Sequence, residues 1–177
     1  EKAIAINPDS ASNLLKSISS PEKLDDKAFA RWCMLSGKIT DEIFNSILPT
    51  YQLERAYDWY SSHGSPDEQV QILIYLGRSY FADGDYDKAM SIYTNALDIA
   101  GKKAIKRYEI AAEYFKKEKN TDSYACALRD IGREYAQMDS LSHALNILII
   151  ADSVAANTSN INVTASINNA LGNIYSM

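Results

Sequence analysis

The chain has 177 residues, of which 46% are hydrophobic and 23% charged, and its formal net charge is −5. This composition is that of an ordinary folded protein and excludes intrinsic disorder. Seven glycines and four prolines are few for a chain of this length, which disfavours an all-β fold with its many turns. The acidic balance excludes a general phosphate-binding surface, so nucleic acid is not a predicted partner. No apolar run approaches the roughly 20 residues of a membrane span.

Helical periodicity without a repeat signature marks the first 65 residues. The first two predicted helices carry apolar stripes at Ala11, Leu14, Leu15 and Ile18 and at Leu24, Ala28, Trp32 and Leu35, and Pro21 is predicted to open the second. A short helix is predicted over 41–48, and a further one through Leu53, Ala56, Tyr57 and Tyr60 that stops at His63 and Gly64. Residues 1–65 are therefore predicted to form degenerate helical hairpins that cap the N-terminal end of the fold.

Residues 66–177 contain a repeated pattern. Segments 76–80, 131–135 and 171–175 each consist of an aliphatic residue, a glycine, two variable residues and a tyrosine. The first two are followed by a small-large-small triplet, at Ala89, Tyr93 and Ala96 and at Ala144, Leu148 and Ala151. Small residues at this spacing indicate two helices in close approach. Helices are predicted over 66–83, 86–100, 103–119, 122–137, 140–156 and 162–176.

The helix over 103–119 is predicted from a third copy of the triplet. Ala104, Tyr108 and Ala111 repeat the first triplet at an offset of fifteen residues, which helps to explain the long interval between the first two glycines of the pattern. Gly101 is predicted to separate this extra helix from 86–100. Tyr108, Ala111 and Phe115 are predicted to be buried.

These residues resemble the tetratricopeptide repeat (TPR) family, whose repeat of about 34 residues carries Leu, Gly and Tyr on its first helix and Ala, Phe or Tyr, and Ala on its second. The resemblance implies an all-α fold, a right-handed superhelix of about nine to ten helices, with a truncated last repeat. Two departures exist. Leu73 and Leu128 stand where the family has tryptophan, and the proline that often ends a repeat is absent.

The resemblance also implies a function, because TPR proteins bind protein or peptide segments in a concave groove lined by the first helix of each repeat. The corresponding residues here are Gln71, Ile74, Arg78, Phe81, Arg129, Arg133, Gln137, Asn169 and Asn173. Arg129 and Arg133 lie one helical turn apart and, with Arg78, would suit a carboxylate or an acidic peptide. The alternative is that these arginines pair with Asp130, Glu134 or acids of adjacent helices. Ile74 and Arg78 replace the Lys and Asn of the family's chaperone-tail clamp, so chaperone binding is not predicted.

No motif predicts catalysis, a metal site or a cofactor. The two histidines, His63 and His143, lack metal-ligand spacing, and His63 is predicted to lie at a helix C-terminus. Cys33 and Cys126 lie within apolar helical patterns and are predicted to be buried, and most tyrosines fall on packing positions of the repeat. The sequence therefore predicts a non-catalytic interaction scaffold.

A narrower resemblance concerns bacterial TPR proteins that are cell-envelope lipoproteins or sensor-regulator proteins. It rests on segment 9–11 followed by Leu14 and Leu15, and on segment 57–60 followed by His63 and Gly64. It implies a periplasmic location, with the cytoplasm as the alternative, and membrane attachment only through parts outside this sequence. The alternative function is an input module of a longer regulatory protein. An apolar C-terminal surface carrying Leu171, Ile174 and Met177 is predicted to be covered by a following helix or a second copy.

Overall fold

A computed structural model describes residues 4, 6–43 and 47–177, and within these residues the chain is all-α and contains no strand. The prediction of an all-α fold is confirmed. Eight α-helices lie within the described residues: α1 (Pro8–Lys16), α2 (Asp26–Ile43), α3 (Thr50–His63), α4 (Pro66–Ala82), α5 (Tyr86–Lys117), α6 (Thr121–Gln137), α7 (Leu141–Ala155) and α8 (Ile161–Tyr175). None of these helices combines the length and the apolar character needed to cross a lipid bilayer.

Side-chain caps explain why several helices begin where the sequence predicts. Ser65 and Glu68 form a reciprocal capping box at the start of α4, where Pro66 occupies the first turn. Asn120 caps α6 by accepting a hydrogen bond from the Ser123 amide. The bounds of α4, α6, α7 and α8 agree with the predicted bounds to within one residue, although Ser140 before α7 makes no capping hydrogen bond through its side chain.

The predicted break at Gly101 is wrong, because α5 is one continuous helix of 32 residues. Gly101 is buried, and a Cβ atom there would lie 2.8 Å from Met138 Sδ, so the glycine permits close packing rather than ending a helix. The predicted burial was also too deep, since Tyr108, Ala111 and Phe115 are only half-buried.

A change of apolar register explains why α5 resembles two helices in sequence. Ala89 and Ala96 are both buried and lie two turns apart, and the same holds for Ile105 and Ala112. The interval from Ala96 to Ile105 is nine residues, which is about two and a half turns. The apolar stripe is therefore interrupted near Gly101, while the backbone remains helical.

The N-terminal predictions need two further corrections. Pro21 begins a short 3-10 turn, Pro21–Lys23, and α2 starts only at Asp26. The helix predicted over 41–48 does not form as a separate element, because α2 runs to Ile43 and residues 47–49 are not helical; residues 44–46 lie outside the described residues. With the continuous α5, this correction reduces the count to eight described helices from the nine to ten predicted.

The predicted stripes of α1 and α2 are less buried than expected. Leu14 and Ile18 are exposed, whereas Ala11 is buried. In α2 the largest fully buried side chains are Phe29 and Cys33, and the predicted stripe is half-buried beside them. The end of α3 agrees with prediction, because His63 lies in its last turn and its Nδ1 is 3.0 Å from the Trp59 carbonyl oxygen.

The chain divides into two compact units, Glu1–Ile99 and Ala100–Met177, and the division falls inside α5. The predicted division at residue 65 lies within the first unit. The first core contains buried side chains of α2, α3 and α4, namely Phe29, Ala30, Cys33, Met34, Leu53, Ala56, Tyr60, Ile72, Tyr75 and Leu76. The second contains buried side chains of α5 to α8, namely Ile105, Ala125, Leu128, Ile131, Ala151, Ala155, Val163 and Ile167.

Two glycines of the repeated pattern, Gly77 and Gly132, stand where helices approach closely, as predicted, whereas the third, Gly172, has no such neighbour. In the first unit, a Cβ on Gly77 of α4 would lie 2.4 Å from a ring carbon of Tyr93. In the second unit, a Cβ on Gly132 of α6 would lie 2.7 Å from Leu148 Cγ of α7. Both distances are far below a normal carbon-carbon contact, so no larger residue fits at either position without displacement.

The predicted burial of the repeat tyrosines and the predicted exposure of the C-terminal end are each only partly correct. Four of the tyrosines are half-buried on their packing positions, namely Tyr80, Tyr93, Tyr108 and Tyr135. Tyr175 is 72% exposed, because no described helix covers its face of α8. Leu171, which was expected to lie against nothing, packs on the second core. Ile174 is half-buried and Met177 is exposed.

Arg55 links α3 to the 3-10 turn and to the start of α2. Its guanidinium donates to the Asp26 carboxylate at 2.8 Å and to the carbonyl oxygens of Glu22 and Leu24, each at 3.0 Å. It also lies over the Phe29 ring, 4.2 Å from the ring centroid. A planar fork with five donors suits this set of acceptors, and an ammonium group does not reproduce it.

We expect Arg55→Lys to lower the free energy of unfolding by about 1 to 2 kcal/mol, because the carbonyl acceptors lose their partner and the ring loses its stacked group. Urea unfolding followed by circular dichroism measures the change. Arg107→Lys is the control, since Arg107 is exposed and has no hydrogen bond or ion pair to any described residue. Equal stability of the two variants would contradict the role given to Arg55.

Candidate peptide-binding grooves of the second unit

The sequence-predicted site residues lie on α4, α6 and α8. In the first unit Gln71 and Ile74 are half-buried, and Arg78 and Phe81 are exposed. In the second unit Arg129 is half-buried, and the exposed members are Arg133, Gln137, Asn169 and Asn173. The two sets therefore belong to different units and are described separately.

Arg78 is already paired with an acid of a neighbouring helix. It forms an ion pair with Asp41 of α2, and the Tyr75 hydroxyl donates to the same carboxylate at 3.2 Å. Burial first, and then Asp41, raise the pKa of the Tyr75 hydroxyl above its usual range. The adjoining cavity, of about 20 Å³, has room for a single water molecule.

Arg129 is also neutralised. It donates to the Asp130 carboxylate at 2.7 and 2.9 Å and to the Ser166 hydroxyl of α8 at 2.9 Å. The alternative that these arginines pair with nearby acids is confirmed for Arg78 and Arg129. Arg133 is exposed and has no hydrogen bond or ion pair within the described part of the chain.

Phe81 contributes to an exposed aromatic pair that the sequence did not indicate. Its ring packs edge to face on Tyr86, with centroids 5.1 Å apart, and both side chains are at least 60% exposed. Met90, one turn beyond Tyr86 on α5, is exposed as well. These side chains give the first unit a small apolar surface.

The α8-side groove is a depression of about 420 Å³ between the C-terminal half of α5, α6 and the start of α8. Its lining residues are Tyr108, Ala111, Phe115, Asp122, Ser123, Cys126, Ala127, Asp130, Asn160 and Val163. Six of these ten residues are aromatic, aliphatic or cysteine, and four are polar or charged, so apolar contact area is combined with hydrogen-bonding groups, as in many binding sites.

The α7-side groove lies on the other flank of α5 and has a volume of about 460 Å³. Its lining residues are Glu109, Ala112, Glu113, Lys116, Tyr124, Leu128, Ile131, Tyr135 and Ile147. Lys116 lies over the Tyr124 ring at 5.9 Å from the centroid. The charged residues of this lining are Glu109, Glu113 and Lys116, so its formal net charge is negative.

Asp122 gives the α8-side groove a fixed negative charge. The Thr158 hydroxyl and the Asn160 amide, the latter at 2.9 Å, both donate to its carboxylate. These two hydrogen bonds, that of Thr158 first, lower the pKa of Asp122. Asp130 in the same groove is neutralised by Arg129, so Asp122 supplies the net charge of this lining.

Cys126 is the groove residue that sequence reasoning missed most directly. Cys126 occupies the same position in its repeat as Gln71, which lies fifty-five residues earlier in the chain. The position within the repeat that identified Gln71 as a candidate site residue therefore also identifies Cys126. Its hydrophobic character led to a prediction of burial, but the side chain is only half-buried. Tyr108, Ala111 and Phe115 were predicted as core and instead line this groove.

Comparison with protein-family models, with curated proteins and with solved structures found no match. Among residues 4, 6–43 and 47–177, no group of three or more His, Cys, Asp or Glu side chains is arranged to hold a metal ion. The functional assignment therefore rests on the geometry and chemistry of the grooves.

We expect iodoacetamide at neutral pH to modify Cys126 and to leave Cys33 unmodified in the folded chain. Burial raises the pKa of the Cys33 thiol to about 12, so its reactive thiolate is scarce, whereas Cys126 is half-buried at the groove. Mass spectrometry of tryptic peptides measures both modifications. Preferential modification of Cys33 would contradict the described burial of α2.

Proposed function

We propose that this protein is a non-catalytic interaction scaffold of TPR-like repeats, arranged as a right-handed superhelix, that binds a segment of a partner protein. The α8-side groove is the binding site in this proposal. The observation that carries it is the combination of apolar side chains with one carboxylate, Asp122, that has no cationic partner among the described residues, in an open depression of about 420 Å³. Peptide-binding sites combine apolar contact area with a few oriented polar groups in this way.

The groove chemistry favours a segment with apolar anchors and at least one Lys or Arg. Apolar anchors would fill the space between Tyr108, Phe115 and Val163, and a cation would pair with Asp122. The acidic peptide suggested by the arginines of the sequence is less suited to this site, because Arg129 is bonded to Asp130 and Ser166.

The hydrogen bonding of the two carboxylates at the groove supports a binding role without catalysis. The carboxylates of Asp122 and Asp130 are engaged by Thr158, Asn160 and Arg129, and these contacts fix their positions. General acid or base catalysis uses a group whose pKa lies near the working pH, and the pKa of Asp122 is lowered away from it.

Selection of a displayed random-peptide library on the intact chain tests this proposal. We expect the selected peptides to share an apolar residue close to Lys or Arg, and their binding to slow alkylation of Cys126. Ala111→Trp places a large side chain in the groove and is expected to abolish binding. Ala82→Trp, at an exposed alanine of the first unit, is the matched control. Equal binding by both variants would show that the peptides bind elsewhere.

A further inference from the structure

The first half of α5 carries an exposed apolar stripe with an acidic edge. Tyr86, Met90 and Leu97 share one face of the helix, and each is at least 62% exposed. Asp87 follows Tyr86 by one residue and Asp98 follows Leu97 by one, so both carboxylates stand on the same side of the stripe. Neither has a hydrogen bond or an ion pair to any described residue. These five residues form the acidic surface of the first unit.

The second half of α5 carries a stripe with a basic edge. Ile110 and Tyr114 lie one turn apart, and each is at least 59% exposed. Lys106 lies one turn before Ile110, and Lys117 lies about one turn after Tyr114 on the same edge. Both lysines are exposed and have no hydrogen bond or ion pair within the described part of the chain. These four residues form the basic surface of the second unit.

The charges of the two surfaces have the same spacing. Asp87 and Asp98 are eleven residues apart, and so are Lys106 and Lys117. Eleven residues correspond to three helical turns, or about 16 Å along the helix axis. When two helices with these stripes pack side by side, both carboxylates can therefore meet a lysine in a single register.

We propose that the acidic surface of one copy of this chain binds the basic surface of a second copy. The apolar side chains form the centre of the contact, and the charged pairs lie at its edge, where they fix the register and steer association. Since α5 is one continuous helix, its two halves cannot fold onto each other, so each surface requires another copy. The proposal does not depend on the α8-side groove.

This contact joins different surfaces of the two copies, so it is head to tail. Each added copy leaves one acidic and one basic surface free, and the assembly grows with concentration unless it closes into a ring. Charges at the edge of a contact are screened by salt. The association is therefore expected to depend on chain concentration and to be lost at high salt.

Sedimentation velocity of the intact chain in about 0.01 M and about 1 M salt measures this association. We expect the sedimentation coefficient to rise with chain concentration at low salt only. Two double variants reverse one surface each, Lys106→Glu with Lys117→Glu and Asp87→Lys with Asp98→Lys. Each is expected to weaken self-association at least about tenfold, because like charges then face each other. Circular dichroism checks that both variants are folded.

A mixture of the two double variants tests the complementarity directly. One variant carries two acidic surfaces and the other carries two basic surfaces, so each repels itself, whereas the mixture restores opposite charges at every contact. We expect the mixture to associate like the wild-type chain. The matched control is Lys23→Glu with Lys27→Glu, which reverses two exposed lysines of the first unit and is expected to associate like wild type.

Loss of association in each double variant, with recovery in the mixture, supports the proposal. A wild-type chain that stays monomeric at low salt overturns it, also where that chain instead binds phosphatidylserine vesicles through Lys106 and Lys117. Wild-type association by either double variant overturns it as well, because the copies then meet through another surface. So does a mixture that fails to associate, or a control that is weakened as much as the surface variants, since net charge alone then governs association.

Discussion

Gly132→Ala is expected to lower the free energy of unfolding by about 1 to 3 kcal/mol, although alanine is the better helix former. The added methyl group would lie 2.7 Å from Leu148 Cγ and 3.4 Å from the Ala144 carbonyl oxygen. Leu148 is fully buried and Ala144 presents backbone, so neither can move aside cheaply. The helices α6 and α7 must therefore separate.

Gly172→Ala is the matched control for this prediction. It makes the same change at the same position of the next repeat, where a Cβ meets no atom within 4 Å. We expect it to raise the free energy of unfolding by about 0.5 to 1 kcal/mol, the intrinsic helical advantage of alanine over glycine. Urea unfolding followed by circular dichroism measures both variants. Effects of the same sign would contradict the close approach of α6 and α7.

Gly101→Pro is expected to have a still larger effect, lowering the free energy of unfolding by about 3 kcal/mol or more. Gly101 lies inside the continuous helix α5, where proline removes a backbone hydrogen bond and its ring clashes with the carbonyl one turn earlier. Gly101→Ala is the control, because the three atoms nearest to its Cβ belong to the flexible side chains of Met138 and Glu134. Urea unfolding followed by circular dichroism measures the free energy of unfolding of both variants.

A proline at the junction of two helices would be tolerated far better, because a helix start has no partner for that backbone N–H. If Gly101→Pro and Gly101→Ala unfold at similar urea concentrations, α5 is divided at Gly101 and the continuous helix is wrong. This outcome would restore the extra helix that the sequence predicts over 103–119.

Local sequence signals predicted most of the helical architecture. Capping chemistry set the ends of helices, as at Ser65 and Asn120, and the repeated glycines identified where helices touch. The same signals gave a wrong prediction of a helix break at Gly101. A glycine and a change of apolar register can accompany either a helix break or a close contact between helices. Only the position of Met138, thirty-seven residues later, distinguishes the two cases.

The candidate groove was harder to predict, because it combines residues from three helices and most of these residues are half-buried. Tyr108 and Phe115 have the spacing of core residues, and periodicity alone does not separate the centre of a packed face from its edge. The pairing of Arg129 with Asp130 was available from the sequence as an alternative, but the choice between partners depends on side-chain direction. The hydrogen bonds that lower the pKa of Asp122 come from Thr158 and Asn160, which lie in the connection between α7 and α8.

The rate of Cys126 alkylation in the presence of a library-selected peptide tests the proposed function most directly. Cys126 lines the α8-side groove, so a bound segment must cover its thiol. We predict that saturating peptide slows alkylation at least about tenfold in the wild-type chain and has no effect in Ala111→Trp, which does not bind it. A peptide that binds tightly and leaves the alkylation rate of Cys126 unchanged would contradict the assignment of this groove as the binding site.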